Sequence, residues 1–405
     1  MAITITEALE IIYKNTKMLS TEVLPIEMIW GRILASDQVA TFDLPRFDNS
    51  SMDGYAVKVC DAGKTVHSDK VTYAGDRPQS LLTQGNAFRI MTGAPIPKGC
   101  EAIVPLEKVI VDADKVTLPQ NIEKNDFIRK AGEDMKTSSV YLQKGERINA
   151  YGITLLVSQG VTHVEVYRKI KVAVFSSGDE LRSHYETIED HQLYNSNTPM
   201  FIARSKALNC EVTYLPSIGD TLEKLQLAIK SSLNADLIIT SGGMHNGDKD
   251  FTQEAFKNSG MKIAFDKVEI KPGRPIAYGY IGDTAVVNLP GNPLASMVNY
   301  EVFIRSIIHK MSGDSAYYLN AINARLSEDF KPKRGKYTVT LGIFDGELFT
   351  PIKKQMAGMV APMAKANAMM IVKLDLDFMR KGDKIKIIPI AWEFFSTQKR
   401  DFYTY

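Results

Sequence analysis

Ala235-Asp-Leu-Ile-Ile-Thr-Ser-Gly-Gly-Met-His-Asn-Gly-Asp-Lys-Asp250 joins an apolar run to a glycine turn and a pair of aspartates. Leu237 to Ser241 is a short run of apolar or small residues, as in a strand buried on both faces. Gly242 and Gly243 end the run, Gly247 bends the loop, and Asp248 and Asp250 stand just before a helix-like segment at residues 251–258. A strand that delivers a glycine turn at its carboxyl end is where open parallel sheets bind ligands. Glycines let backbone N–H groups approach a phosphate, and two aspartates nearby suit Mg2+ held through oxygen or water contacts. Alone, the stretch fits a plain strand-to-helix turn equally well, so its neighbours have to decide.

Working outward, residues 169–311 alternate strand and helix patterns. Residues 172–176 read as a buried strand, followed by Ser177-Gly-Asp-Glu-Leu181. A helix at 195–208, a strand at 212–215 and a helix at 222–233 lead into the opening stretch. Beyond it come strands near 263–270 and 285–288, then a long apolar helix at 293–309 with Pro293 in its first turn. This alternation predicts a parallel, right-handed, three-layer α/β domain.

Before that domain, Thr4 and Glu7 have capping-box spacing ahead of Ala8, Leu9, Ile11 and Ile12, and a weaker helical pattern covers residues 24–34. From residue 48 to 147, short β-type runs alternate with Gly/Pro turns, which predicts a compact β domain. Residues 149–160 read as helix again, so the β region looks inserted into a discontinuous helical domain. After Gly313 the pattern returns to β, with Phe344-Asp-Gly-Glu347 as a hairpin turn. The predicted domains are 1–46 with 148–168 (discontinuous helical), 47–147 (inserted β), 169–313 (α/β) and 314–405 (C-terminal β).

Composition narrows the function class. The 405 residues exceed one ordinary core, which supports several domains. A net charge of +2 and no Lys/Arg-rich block give no electrostatic case for a nucleic-acid partner. Cys60, Cys100 and Cys210 lie far apart and form no CxxC pair, as in a reducing compartment. The first residues do not read as a secretory leader, and no apolar run reaches the roughly 18 residues of a membrane span. A cytoplasmic protein with no membrane partner is expected.

Four turns of the α/β region share one chemistry. Ser176-Ser-Gly-Asp-Glu180 and the stretch from Ser241 to Asp250 combine glycines with carboxylates. Leu289-Pro-Gly-Asn-Pro293 opens a helix whose free N–H groups favour an anion. Lys271-Pro-Gly-Arg274 adds fixed positive charge. Together they suit an anionic, phosphorylated ligand with Mg2+. Asp53, in Ser51-Met-Asp-Gly54, reads alone as an Asx-turn residue, and Thr92 as a strand end. The methionines at 356, 359, 363, 369 and 370 read as core filler, and no Ser/His/Asp triad or nucleophilic cysteine emerges.

Six ordered motifs then carry a resemblance. They are Phe47-Asp-Asn-Ser-Ser-Met-Asp-Gly-Tyr-Ala-Val57, Arg89-Ile-Met-Thr-Gly-Ala94, Ser177-Gly-Asp-Glu-Leu181, the Ser241–Asp250 loop, Lys271-Pro-Gly-Arg-Pro275 and Leu289-Pro-Gly-Asn-Pro293. Over nearly the whole chain they closely resemble the MoeA family of molybdopterin molybdotransferases, which includes the E domain of gephyrin. The resemblance implies an L-shaped homodimer of four-domain chains, the last domain β-barrel-like. It implies that adenylylated molybdopterin and molybdate react with Mg2+ to give molybdenum cofactor and AMP. The family cleft lies between the α/β domain of one subunit and the inserted β domain of the other, so Asp53 and Thr92 would complete the site across the dimer.

Carried over residue by residue, Asp53, Thr92, Glu180, Asp250, Lys267 and Lys271 are the implied catalytic positions. Glu180, Asp220, Asp248 and Asp250 are the implied metal ligands. Ser177, Gly178, Ser241, Gly242, Gly243, Arg274, Pro290, Gly291 and Pro293 are implied to bind the pterin substrate. Glu133 and Asp134 also match a family motif. Ser177 stands for a common threonine, Arg274 for a common lysine, and Met244-His-Asn246 for a usual Val-Ser-Val-type run. Ala357 and Ala361 stand where small hydroxyl residues are frequent. A molybdopterin adenylyltransferase resembles residues 169–311 alone, and the residues before them, with Asp53 and Thr92, argue for insertion instead. A gephyrin-like scaffold would not need the retained carboxylates and lysines. A molybdopterin adenylyltransferase and recipient molybdoenzymes are the implied partners.

Overall fold

The computed structural model describes residues 2–77, 81–243, 251–333 and 335–391. The chain divides into two compact units, one of Met1–Ala35, Gly145–Asn149 and His163–Tyr405, the other of Ser36–Lys144 and Ala150–Thr162.

The first unit is built on a sheet of β1 (Lys171–Ser176), β2 (Glu211–Tyr214), β3 (Leu237–Ser241), β4 (Lys262–Lys267), β5 (Pro275–Ile281) and β6 (Thr284–Leu289). Its order is β2-β1-β3-β6-β5-β4. The strands β2, β1, β3 and β6 pair in parallel, whereas β5 is reversed and pairs antiparallel with both β6 and β4. The expected all-parallel sheet is therefore corrected to a mixed one. Gly282, at φ +59°, and Asp283 turn Ile281 directly into Thr284, a hairpin that the helix-and-strand alternation concealed.

Every residue of β3 and β6 is buried, as expected of near-continuous apolar strands. Alternation along the strands splits the core between two faces. Val172, Val174 and Ile239 pack with Phe201 of α1 (Asn197–Ala207), while Ala173, Phe175 and Ile238 pack with Ile229 of α2 (Leu222–Ser232) and Phe256 of α3 (Thr252–Asn258). Helices on both faces make three layers.

The helix α4 (Pro293–Asn299) runs through a π turn at Tyr300–Ile304 into Arg305–Met311, and most of its length is buried. Buried Glu301 is held there by Arg204 at 2.6 and 2.9 Å and by Arg305 at 3.0 Å. The N-terminal helix, Ile5–Asn15, brings Ala8 and Ile12 into the same core. Its capping box is formed as expected: Glu7 N–H donates to Thr4 Oγ1 at 3.2 Å and Thr4 N–H to Glu7 Oε2 at 2.7 Å. The helix expected at 24–34 is absent. Thr21–Pro25 is a strand paired with His163–Tyr167, followed by one 3-10 turn, because Pro25 lacks a helical N–H and Gly31 sits at φ +72°.

Ile322–Leu326, Thr338–Phe344, Leu348–Pro351, Ala368–Val372 and Lys384–Pro389 close into a five-stranded barrel, which removes sheet edges. The expected hairpin turn is present, with Asp345 Oδ1 accepting the Glu347 and Leu348 N–H groups at 3.1 and 2.8 Å. In the second unit, a six-stranded β-sheet packs Tyr55, Val57, Val66, Val104 and Val116 into one core. The helix Ala150–Ser158 belongs to this unit, and Gln159 beyond it receives the Thr41 N–H at 3.0 Å.

Asp314 joins the long helix to the barrel within the first unit. Burial alone would raise its carboxyl, but hydrogen bonds from His309, the Ala316 N–H and Arg147 outweigh it and bring it down to about 2. A depressed acid contributes stability that is present above its unfolded value, about 4, and lost as pH falls toward 2. Asp314→Asn is therefore expected to cost about 1–2 kcal/mol at pH 7, after allowance for solvent screening, in urea unfolding. The gap from wild type should narrow as the pH falls below about 4.

Candidate active site

The chain leaves β1 through α1 to β2 on one side, then crosses through α2 to β3 on the other. The β1/β3 boundary is thus a topological switch point, where a crevice opens beyond the carboxyl ends. Ser177 and Gly178 follow β1, Ser241 to Gly243 end β3, and Pro290 and Gly291 follow β6. Backbone bonds lace these turns together: Ser177 N–H donates to Ser241 O at 3.0 Å, Gly242 N–H to Leu289 O at 3.1 Å and Gly178 N–H to Ile218 O at 3.2 Å. A Cβ on Gly242, at φ +106°, would lie 2.3 Å from Ser177 O. Only glycine permits this approach.

Beneath the turns lies a buried polar network. Ser176 Oγ shares hydrogen bonds with Thr198 Oγ1 at 2.7 Å and Ser241 Oγ at 2.8 Å. Asn195 donates to Thr198 Oγ1 at 3.0 Å and Ser217 Oγ at 3.1 Å. Asn197 donates to Ser241 Oγ at 3.2 Å and to Gly291 O at 2.8 Å. A buried hydrogen-bonded network of this kind fixes the groups it joins.

The Lys271-Pro-Gly-Arg274 turn connects β4 to β5. Lys271 N–H donates to Tyr337 O at 2.9 Å, and Val339 N–H to Lys271 O at 2.8 Å, so a barrel strand anchors it. Asn299 donates to Gly273 O at 3.0 Å. The turn lines a cleft of about 460 Å³ together with Pro290, Asn292, Lys336 and Ala357. Leu294 N–H donates to Ala357 O at 2.9 Å, which ties the barrel to the start of α4. Lys271, Arg274 and Lys336 give this cleft a cationic wall, with Glu269 as its acidic member.

Asp53 and Thr92 meet in the second unit, where Gly54–Val57 pairs with Asn86–Ile90. Asp53 Oδ1 accepts both the Thr92 hydroxyl and its N–H at 2.7 Å. These two bonds, with Arg89 nearby, hold the exposed carboxyl below the usual range. The local Asx-turn reading of Asp53 gives way to a partner 39 residues away.

Three parts of the chain match models of known families: 3–160 the MoeA N-terminal region (domain I and II), 173–310 a probable molybdopterin binding domain, and 323–390 the MoeA C-terminal region (domain IV). Molybdopterin molybdenumtransferases of Staphylococcus aureus strain COL and Staphylococcus epidermidis strain RP62A are each 31% identical to it over 401 residues, 95% of this chain and 95% of theirs. The chain belongs to the MoeA family. A crystal structure of the molybdopterin biosynthesis MoeA protein from Pyrococcus horikoshii OT3 agrees in fold, with TM-score 0.84 and 25% identity over 96% of this chain and 100% of that one. As a MoeA-family member, the protein is a transferase of molybdenum cofactor biosynthesis. No helix among the described residues is long and apolar enough to cross a membrane.

Of the MoeA-family positions expected from sequence, the structure gathers Ser177, Gly178, Ser241, Gly242, Gly243, Pro290 and Gly291 at the strand ends, and Lys271 and Arg274 at the cleft. Pro293 opens α4. Glu180 is exposed beside the first turn. Asp220 accepts the Asp179 N–H at 3.3 Å, while Asp179 accepts the Asp220 N–H at 3.0 Å. Lys267 ends β4 with an exposed side chain and does not line the cleft. Glu133 accepts the Lys130 N–H at 2.8 Å in the second unit. Asp248 and Asp250 lie outside the described residues, as does the Met244-His-Asn246 departure. Among the described residues, no three acidic, histidine or cysteine side chains converge on a metal position. Mg2+ requires only one or two protein carboxylates, with water and phosphate oxygens completing its shell, and Glu180 and Asp220 are of that type.

Sequence reasoning missed Lys336, Asn195, Asn197, Thr198 and Asn299. The polar residues at the start of α1 carry only an ordinary helix-start signal, and Asn299 lies in an apolar helical run.

Proposed function

We propose that this protein inserts molybdate into adenylylated molybdopterin, releasing AMP and molybdenum cofactor, with Mg2+ bound. One observation carries the reading: a glycine-lined crevice at the sheet's switch point and a cleft walled by Lys271, Arg274 and Lys336 share the β6–α4 turn. The first suits phosphate and pterin edges, the second a tetrahedral oxyanion. Amide groups of Gly243 and Gly291 receive the substrate's phosphates, the Gly242 N–H being given to Leu289 O to hold the turn, while Lys271 and Arg274 hold molybdate against the pterin. Glu180, Asp220, Asp248 and Asp250 would hold Mg2+, which when bound supplies charge neutralisation across the phosphoanhydride. Lys267, exposed at the end of β4, adds positive charge outside the cleft wall. Electrostatic stabilisation of this kind needs no protein nucleophile.

We further propose that the protein works as a cytoplasmic homodimer in which Asp53 and Thr92 of one subunit serve the cleft of the other. A molybdopterin adenylyltransferase would supply its substrate and molybdoenzymes would receive its product. Purified protein given adenylylated molybdopterin, molybdate and Mg2+ is expected to release AMP in step with active cofactor. Asp250→Ala is expected to slow this by about 10²–10³-fold. Substrate binding by wild type without molybdate-dependent AMP release would instead leave a carrier or scaffold.

A further inference from the structure

We propose that Asn197 and Asn299 are positioning residues, each setting one of the two anion subsites of this centre. The inference rests on the reaction proposed above. Asn299 is fully buried at the last position of α4, and its Nδ2 donates to Gly273 O at 3.0 Å. Gly273 sits at φ +111°, and a Cβ there would come within 2.9 Å of that same nitrogen. The backbone of the cation-bearing turn therefore rests directly on the Asn299 amide. Gly273 lies between Lys271 and Arg274, so shifting its carbonyl moves both cations.

Asn197 repeats the arrangement at the glycine crevice. It is 6% exposed, and its Nδ2 donates to Gly291 O at 2.8 Å and to Ser241 Oγ at 3.2 Å. It thus ties the turn after β6 to the end of β3. Gly291 stands just before α4 and Asn299 ends it, so one short helix spans the two held glycines.

Both amides also carry a cost. Asn197 Oδ1 and Asn299 Oδ1 are buried with no hydrogen-bond partner among the described residues. An idle buried acceptor is unfavourable, and an apolar side chain of similar volume would avoid it. Two such amides, each donating to a glycine carbonyl of a different ligand-bearing turn, point to positioning rather than stability. Asn299 sets the oxyanion subsite, and Asn197 the phosphorylated-pterin subsite.

The test is steady-state kinetics of AMP release with each substrate varied in turn. Asn299→Leu is expected to raise KM for molybdate about 10–30-fold, with kcat at saturating molybdate within about threefold of wild type. Asn197→Leu should reverse the pattern, raising KM for adenylylated molybdopterin by a similar factor while leaving that for molybdate unchanged. Asn299→Asp keeps the shape but sets an acceptor against Gly273 O, so it should behave like Asn299→Leu, and titration calorimetry with molybdate alone should show the same weakening. Thermal melts accompany every variant. A lower melting temperature with both KM values unchanged, or a fall in kcat that saturating molybdate does not rescue, overturns the inference while leaving the reaction intact. Absence of both AMP release and molybdate binding in wild type overturns the inference and the reaction together.

Discussion

Mixing Asp53→Ala subunits with Lys271→Ala subunits is expected to restore about a quarter of wild-type activity, although each variant alone retains about a thousandth. Lys271 is half-buried on the wall of the cationic cleft, with its backbone held on both sides by the barrel strand. In the proposed reaction, removing its charge would deprive molybdate of one cation where water cannot substitute fully. Asp53 is kept ionised by the Thr92 hydroxyl and N–H and is locked into one rotamer by them. If each site takes Lys271 from one subunit and Asp53 from the other, a mixed dimer has one doubly defective site and one intact site. Random pairing makes half the dimers mixed, so a quarter of all sites work. Exchange is confirmed by differential tagging, and activity is read as AMP released. No recovery in verified mixed dimers would place both residues in a single subunit's site, or Asp53 outside it.

Gly242→Ala should be the most damaging single methyl group in the site. Its Cβ would lie 2.3 Å from the Ser177 carbonyl oxygen, a backbone atom that cannot rotate away, at a φ of +106° that L side chains rarely adopt. Relief requires β1 and β3 to part where both glycine turns begin. The expected cost is about 3–5 kcal/mol in urea unfolding, with AMP release abolished. Gly282→Ala separates the two causes. It also has positive φ, +59°, but nothing lies within 4 Å of its Cβ position. Backbone strain alone should cost it about 1–2 kcal/mol, with activity retained. Equal losses for the two variants would mean that the close approach of the turns contributes nothing.

Features that depend on near neighbours along the chain are legible in the residues themselves. The Thr4–Glu7 capping box, the Asp345-Gly346 hairpin and the buried strand at 237–241 each follow from a few adjacent residues, through capping, turn chemistry or unbroken apolar character. The glycine turns were legible for the same reason, since Gly242 is required where two backbones meet. The ordered motifs pointed to the family as a whole.

Which of these pieces meet is set by long-range packing. The β2-β1-β3-β6-β5-β4 order puts the first two glycine turns on either side of a switch point. Barrel pairing carries Lys336 to Lys271, and the sheet of the second unit carries Thr92 to Asp53. Asn197 and Asn299 acquire their roles only when helices pack against strands from elsewhere in the chain. Such contacts are selected by the burial of whole faces over long sequence separations, and the polar side chain that lands behind a turn leaves no periodic trace among its neighbours.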